Sequence, residues 1–162
     1  MIIVSNTTPL IGLASIGKFH LLHDLFIKVY IPQAVYNEAV VFGYEEGGAK
    51  EEVISASAWI KVVQIQDQLA VNVLLDELDI GEAETIVLAC EMNANWVLMD
   101  EKKGRRKLNQ LSLQKIGTVG ILLKAKKVGL LSEIRPHLEQ LRSQGFSISD
   151  SVFDSILMES GE

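Results

Sequence analysis

Short apolar runs alternate with helical patterns along most of this chain, and this alternation limits the folds that it can adopt. Ile2–Val4, Val29–Ile31 and Trp96–Met99 are dominated by apolar and β-branched residues and are too short to be helices. Such runs are typical of strands that are buried on both faces of a parallel sheet. Because strands and helices alternate, we predict an α/β fold with a mostly parallel central sheet, in which residues 1–162 form one domain.

The remaining segments continue the pattern. Apolar residues at helical spacing predict helices around Leu10–Ala14, Leu21–Leu25, Val35–Phe42, Glu51–Ala58, Leu69–Leu78, Ala83–Cys90, Thr118–Lys127, Ile134–Leu141 and Val152–Leu157. Trp59–Ile65 alternates between apolar and polar residues, and Leu113–Ile116 resembles a short strand. Gly43–Lys50 is expected to be a flexible acidic loop that serves as a lid or a partner contact. Cys90 lies on the apolar face of its helix, which predicts a buried core position.

Composition excludes several classes of protein. The chain is 48% hydrophobic and has three prolines, which argues against disorder. No apolar run approaches the roughly 18–20 residues that cross a bilayer, and the N-terminus lacks the charged start of a signal peptide. We therefore expect a soluble cytoplasmic protein with no membrane partner. A single cysteine cannot form a disulfide framework.

Charge is unevenly distributed in this chain, whose net charge is -6. Residues 102–127 contain nine Lys or Arg and no acidic residue, so they carry +9 while the rest of the chain carries -15. This segregation fits a basic groove that binds a polyanion, and it fits a solvated helix face equally well. The acidic residues that precede the segment favour the groove. The candidate phosphate-binding residues are Lys102, Lys103, Arg105, Arg106 and Lys107.

Four polar residues occupy positions from which they can converge. Asn6 and Asp100 follow predicted strands, and open α/β sheets bind ligands at the carboxyl ends of their strands. Glu38 and Glu84 lie on helices whose apolar faces pack on the sheet, although Glu38 fits a surface edge as well. Carboxylates about 4 Å apart repel by roughly 4 kcal/mol at an effective dielectric constant of 20, so a cluster of them predicts bound cations. Oxygen ligands without a set of Cys or His favour Mg2+ or Mn2+ over zinc.

Helical spacing distinguishes Glu84 from Glu82. Asp79 is a predicted N-cap, and Glu82 stands three residues later, where it completes a capping box. Residues two apart on a helix point about 160° apart, so only one of the two glutamates can face a shared metal ion. Because the cap accounts for Glu82, we predict that Glu84 faces the metal.

Several motifs together resemble those of the PIN-domain ribonucleases. They are IIVSNTTPLIGLA at the start of the chain, VYNEA, LDIGEAETIVLA, NWVLMDEKKGRR and GFSISD. Each motif is short, but their order and spacing span nearly the whole sequence. The chain looks most like an uncharacterised VapC-like branch, which groups with the toxins of toxin-antitoxin pairs.

This resemblance implies a PIN-like three-layer α/β/α fold, a Mg2+ or Mn2+ cofactor, RNA as substrate, an antitoxin protein as partner and a homodimer. It assigns catalysis to Glu38, Glu84 and Asp100, which bind the metal together with Asn6. Glu82 and Glu101 would hold these ligands in place without binding the metal themselves. Asn6 departs from the family pattern, in which this first ligand is Asp, so the site loses one negative charge and should bind metal more weakly.

Two hypotheses about function follow. The first is a metal-dependent endoribonuclease that acts as a toxin, in which the metal activates a water for in-line attack. The second is a nucleic-acid-binding or partner-binding module that kept the fold and lost catalysis through Asn6. A phosphoaspartyl receiver and a haloacid-dehalogenase-type phosphatase are excluded, because both need a nucleophilic Asp where Asn6 stands. No Walker-type glycine loop is present either.

Overall fold

The computed structural model describes residues 1–41 and 48–162. In these residues five strands form one sheet in the order β3-β2-β1-β4-β5, and every neighbouring pair is parallel. The strands are β1 (Ile3–Ser5), β2 (Val29–Pro32), β3 (Ile60–Val63), β4 (Trp96–Leu98) and β5 (Lys115–Ile116). The predicted α/β fold with a parallel central sheet is confirmed.

Helices cover both faces of the sheet, as three-layer α/β/α architecture requires. They are α1 (Thr7–Ser15), α2 (Leu21–Phe26), α3 (Gln33–Tyr36), α4 (Lys50–Ser55), α5 (Gln68–Leu74), α6 (Ile80–Glu91), α7 (Lys102–Gln110), α8 (Thr118–Lys127), α9 (Arg135–Ser143) and α10 (Asp150–Ser160). A π-helical turn, Asn37–Val41, continues directly from α3. No helix among the described residues is both long enough and apolar enough to cross a membrane.

Alternation along the strands divides the core into two apolar clusters. Ile3 and Leu98 point to one face, where they pack with residues of α1, α2, α8, α9 and α10. Val4, Val97 and Met99 point to the other face, which α5, α6 and α7 cover. Both faces of the central strands are therefore buried, which explains why these strands are apolar at consecutive positions.

The strand order places a switch point between β1 and β4. From β1 the chain moves to β2 and then β3 on one side, and it returns to β4 on the other side of β1. Connections that leave in opposite directions open a crevice at the carboxyl ends of the two strands, where ligands of doubly wound sheets bind. Asn6 follows β1 and Asp100 follows β4, so both lie at this crevice.

Three local expectations differ from the structure. Cys90 is exposed instead of buried, because α5 and the end of α7 stay apart and leave an apolar groove of about 470 Å³ above it. α5 ends at Leu74, earlier than the predicted end at Leu78. α4 ends at Ser55, earlier than the predicted end at Ala58. Phe42 and most of the predicted loop Gly43–Lys50 lie outside the described residues.

Candidate metal centre

Asn6 lies at the centre of the site, directly after β1. It is only 3% exposed, and its backbone N–H donates to the Leu98 carbonyl at 3.0 Å, which fixes it beside β4. Its Nδ2 donates to both carboxylate oxygens of Glu101, at 3.1 and 3.3 Å. Asn6 Oδ1 is buried and accepts no hydrogen bond from the described part of the chain. This oxygen is therefore an acceptor that remains available to a ligand.

The two threonines after Asn6 each hold a glutamate of the site. Thr7 Oγ1 donates to Glu38 Oε2 at 2.7 Å, and Thr8 Oγ1 donates to Glu101 Oε2 at 3.0 Å. Both threonines are in the first turn of α1, whose backbone N–H groups form the positive end of the helix dipole. The turn from β1 into α1 thus orients two carboxylates and partly offsets their charge.

Glu38 reaches the site from the π-helical turn. Such turns are rare and occur frequently at functional sites. Its carboxylate lies against Gly81 in the first turn of α6, where an added Cβ would be 3.0 Å from Glu38 Cδ and 3.2 Å from Glu38 Oε2. Glycine at position 81 leaves the space that the Glu38 carboxylate occupies.

Glu82 also faces the site, which the spacing argument did not predict. Asp79 Oδ1 accepts a hydrogen bond from the Glu82 N–H at 2.8 Å, so the predicted N-cap of α6 is confirmed. The Glu82 carboxyl group, however, makes no hydrogen bond to the Asp79 backbone within the described residues, so the predicted capping box is incomplete, and hydrogen bonding with the Asp79 carboxyl group instead contributes to its raised pKa. Glu82 is only 8% exposed. We refer to Glu38, Glu82 and Glu101 as the acidic cluster.

Burial and mutual repulsion raise the pKa values of Glu82 and Glu38. For Glu82, burial contributes most, and the hydrogen bond with Asp79 and nearby negative charges raise the pKa further, to about 8. For Glu38, burial again raises the pKa, although the Thr7 hydrogen bond opposes it. Glu101 is one of the charges that raise both pKa values. The three members of the acidic cluster therefore interact electrostatically.

The third member, Glu101, shows the same balance. Burial raises its pKa, and the charge of Asp100 raises it further. The hydrogen bonds from Thr8 and Asn6 lower it. Carboxyl groups that resist ionisation together are expected where a positive ion completes the site.

Glu84 lies at the border of the acidic cluster and has a different partner. Its Oε1 accepts a hydrogen bond from the Ala34 N–H at 3.0 Å, in the first turn of α3. Glu84 thus caps the helix that leads into the π-helical turn of Glu38. Three neighbouring carboxylates raise the pKa of Glu38 through their charge, and Glu84 contributes least of them. The predicted ligand Glu84 is therefore bound to the start of the helix that leads to Glu38.

Asp100 is similarly engaged by the start of α8. Its Oδ1 accepts from the Thr118 N–H at 2.8 Å, and its Oδ2 accepts from Thr118 Oγ1 at 2.7 Å. Burial raises the pKa of Asp100, while these bonds and the Arg105 guanidinium lower it. Successive residues after a strand point in different directions. Asp100 therefore contacts Thr118, while Glu101 contacts Asn6.

The basic run forms most of α7 and divides into two groups. Arg105 is half-buried, and its guanidinium donates to the Met99 carbonyl at 2.8 Å, so it stabilises the turn between β4 and α7. Lys107 forms an ion pair with Glu77 at 3.5 Å. Lys102, Lys103 and Arg106 are exposed. The five predicted phosphate-binding residues are therefore not equivalent.

Comparison with protein-family models matches residues 2–162 to the family described as PIN domain. The chain belongs to the PIN-domain family. The resemblance of the motifs to the PIN-domain family is thereby confirmed, and the parallel sheet between helix layers agrees with a PIN-like fold. PIN domains are typically nucleases that use divalent metal ions, so a nuclease-type function on nucleic acid follows at that level. A search of curated proteins found no match.

The donors of this PIN domain fit a hard divalent ion in their chemistry. They are carboxylate oxygens and the unpartnered Oδ1 of Asn6, without a sulfur or imidazole ligand among them. No three acidic, histidine or cysteine side chains in residues 1–41 and 48–162 are already arranged to share one ion. Glu101 instead accepts a hydrogen bond from Asn6 Nδ2. Asn6, Glu38, Glu82 and Glu101 are the residues that would hold such an ion.

Sequence reasoning overlooked three contributors to the site. Thr7 and Thr8 orient carboxylates, and Gly81 makes room for Glu38. A signal was present, because hydroxyl residues that directly follow a strand end at a switch point can reach whatever binds there. The sequence predicted that Glu101 only supports the metal ligands, although Glu101 is the acid that contacts Asn6.

Proposed function

We propose that this PIN domain is a metal-dependent endoribonuclease whose centre consists of Asn6, Glu38, Glu82 and Glu101. The observation that supports it is the largely buried acidic cluster at the switch point of the sheet, where Glu101 accepts from Asn6 Nδ2 and Asn6 Oδ1 is buried without a hydrogen-bond partner among the described residues. Bound Mg2+ or Mn2+ would supply a Lewis acid and a water of lowered pKa for attack on a phosphodiester. This proposal revises the ligand set predicted from the sequence, because Glu84 accepts from the Ala34 N–H and Asp100 accepts from Thr118.

Each residue of this centre has a distinct part in the proposal. Thr7 and Thr8 fix the rotamers of Glu38 and Glu101, so these carboxylates bind without further loss of side-chain freedom. Glu82 has the most strongly raised pKa, near 8, so it exchanges a proton for the cation on binding. Asn6 contributes a neutral oxygen, and we expect affinity for Mg2+ on the order of millimolar, with Mn2+ somewhat tighter.

The test compares two conservative variants two residues apart. Purified wild-type protein is expected to cleave single-stranded RNA with Mn2+ and to lose this activity in EDTA. Glu82→Gln removes a cluster carboxylate and should abolish cleavage. Glu84→Gln keeps an oxygen for the Ala34 N–H and should retain most of it. If Glu84→Gln is inactive while Glu82→Gln cleaves normally, the assignment of the centre is wrong.

One observation favours the second hypothesis, a nucleic-acid-binding module without catalysis. Asn6 Nδ2 donates to both oxygens of Glu101, so this carboxylate has a hydrogen-bond partner without a cation. Under this hypothesis RNA binds, and neither Mn2+ nor Mg2+ changes the RNA. The Mn2+ and EDTA comparison distinguishes the two, because only the nuclease produces metal-dependent fragments.

We also propose that the chain is the toxin of a toxin-antitoxin pair, on the basis of the VapC-like motifs. A protein partner is supported by the apolar groove between α5, α6 and α7, where Leu69 and Val73 are 73% and 66% exposed. Expression alone should arrest bacterial growth, and co-expression of a small adjacent reading frame should restore it. Replacing Leu69 and Val73 with Lys should preserve the arrest and abolish the rescue. Light scattering that shows a dimer of the chain alone, lost in this variant, would assign the groove to a second copy.

A further inference from the structure

One face of α7 forms a wall of a groove beside the acidic cluster. The groove encloses about 270 Å³ and is lined by Asp76, Glu77, Lys103, Arg106, Lys107 and Gln110. Three cations and an amide lie on the α7 side, and two carboxylates lie on the connection between α5 and α6. We call it the α7 groove.

Helix geometry explains why only part of the basic run lines the α7 groove. At about 100° per residue, Lys103, Arg106, Lys107 and Gln110 lie within one stripe about 100° wide. Arg105 falls well outside that stripe, and its guanidinium is bound to the Met99 carbonyl. Gly104 and Leu108 face the core. The stripe therefore faces the α7 groove, while Arg105 is structural.

Each wall of the α7 groove is joined to the acidic cluster through a helix N-cap, which is Glu101 itself on one side and, on the other, Asp79, whose carboxylate accepts from the Glu82 N–H. Glu101 is the N-cap of α7, two residues before Lys103. Asp79 is the N-cap of α6, two residues after Glu77. From Lys103 to Gln110 the stripe rises about 10 Å along the helix, at 1.5 Å per residue. This length extends away from the cluster and exceeds what a single phosphate occupies.

The α7 groove already contains an anion. Glu77 Oε2 lies 3.5 Å from Lys107 Nζ, and the side chain of Lys107 is 22% exposed while that of Glu77 is 67% exposed. An exposed carboxylate on a half-buried lysine is readily displaced, because surface ion pairs contribute little to stability. A phosphate that enters the groove would take over Lys107 and release Glu77 to solvent.

We infer that the α7 groove carries the RNA strand next to the bond that is cut, with Lys103, Arg106 and Lys107 on its phosphates and Glu77 as the anion that they displace. The inference rests on the proposed function, since it names the path of that substrate. Phosphate contacts of this kind position a strand without reading its sequence. The groove should therefore bind unrelated single-stranded RNAs alike.

The experiment measures binding separately from cleavage. Fluorescence anisotropy with labelled single-stranded RNAs of two unrelated sequences is recorded in EDTA over a series of salt concentrations. Lys103→Ala with Arg106→Ala should weaken binding of both RNAs and reduce the slope of log affinity against log salt by about 1.4, at roughly 0.7 per lost contact. Lys124→Ala with Lys127→Ala removes the same charge from α8 and should leave the slope unchanged. Glu77→Gln should tighten binding about two- to fivefold.

The outcomes separate this inference from the proposed function. If the α7 and α8 double variants weaken binding equally, net charge alone explains the affinity and the path is overturned, while Mn2+-dependent cleavage by the wild type still supports the nuclease. A loss restricted to one RNA sequence, or weaker binding by Glu77→Gln, overturns the path as well. If the wild type neither binds nor cleaves RNA, both proposals fail.

Discussion

Asn6 Nδ2 donates to both carboxylate oxygens of Glu101, at 3.1 and 3.3 Å. An aspartate at position 6 would instead place a second negative charge at about this distance from Glu101. The amide therefore stabilises the glutamate without a cation, and the same bond competes with a cation for Glu101. Stability without metal and weak metal affinity have one cause here.

Asn6→Asp should reverse both properties. Without metal, two close carboxylates and a lost hydrogen bond should lower the free energy of unfolding by roughly 1–3 kcal/mol. The additional carboxylate should raise the affinity for Mn2+. Added Mn2+ should therefore raise the melting temperature of Asn6→Asp by more than that of the wild type. Calorimetry with Mn2+ and thermal unfolding in EDTA measure the two effects.

Asn72→Asp is the matched control for this variant, because it makes the same change on the exposed face of α5. It should alter neither metal affinity nor the response of the melting temperature to Mn2+. Equal metal affinity in Asn6→Asp and the wild type would contradict the placement of Asn6 in the centre.

The raised pKa of Glu82 predicts how stability depends on pH. Its ordinary value is 4.5, and its folded value is about 8. Between these values the folded state binds more protons than the unfolded state, so the free energy of unfolding falls as pH rises. In EDTA the melting temperature should therefore decrease from pH 5 to pH 8, and saturating Mn2+ should flatten this decrease.

Glu82→Gln tests the same point, because glutamine resembles the protonated acid and does not titrate. Its melting temperature in EDTA should depend less on pH than that of the wild type, and the two proteins should differ most near pH 8. A decrease of equal steepness in Glu82→Gln would assign the pH dependence to another group.

The position of the site could be predicted from the sequence, because it depends on local patterns. Apolar runs mark the strands, and Asn6 and Asp100 follow two of them. Their meeting at a switch point follows from the strand order of a doubly wound sheet. Glu38 could be singled out as an acid beside an apolar stripe.

The choice between Glu82 and Glu84 could not be predicted, since it depends on contacts between distant segments. Glu84 accepts a hydrogen bond from the Ala34 N–H, which lies fifty residues earlier in the chain. No pattern within α6 reveals that donor. The capping argument placed Asp79 correctly but wrongly directed the Glu82 carboxyl group back to the backbone N–H of Asp79. The predicted burial of Cys90 was wrong for a similar reason, because its exposure depends on how far apart α5 and α7 lie.

Thr118 anchors Asp100, and its hydroxyl group should matter more for stability than for chemistry. Thr118 is fully buried, and Thr118→Val removes the donor to Asp100 Oδ2 while nearly preserving the volume. The unsatisfied buried oxygen should cost roughly 1–3 kcal/mol of unfolding free energy, measured by urea denaturation at pH 7. Thr118→Ser keeps the hydroxyl group and should lose only about 1 kcal/mol for the missing methyl.

The comparison becomes specific when Asp100→Asn is added to each variant. If the loss in Thr118→Val comes from the unpaired carboxylate, Asp100→Asn should cost less in that background than in the wild type. Additive losses would show that Thr118 stabilises the fold through packing alone.

Gly81→Ala should separate the fold from the function. The added Cβ would lie well inside van der Waals contact with Glu38 Oε1 and 3.0 Å from Glu38 Cδ. A glutamate side chain can rotate away at little cost, and alanine is favoured over glycine in a helix by about 1 kcal/mol. The free energy of unfolding should therefore be unchanged or higher. Displacing Glu38 from its Thr7 hydrogen bond should reduce Mn2+-dependent cleavage by about 100-fold, as misplacement by about 1 Å does in other enzymes.

Glu38→Ala supplies the background that tests this cause. If Gly81→Ala acts only by displacing Glu38, it should reduce the cleavage rate in the wild type and add nothing to Glu38→Ala, since the residue that it displaces is already gone. Metal affinity by calorimetry should follow the same pattern as cleavage. A further loss on adding Gly81→Ala to Glu38→Ala would mean that the methyl group disturbs α6 itself. Normal cleavage by Gly81→Ala would mean that the Glu38 carboxylate is not needed where the structure places it.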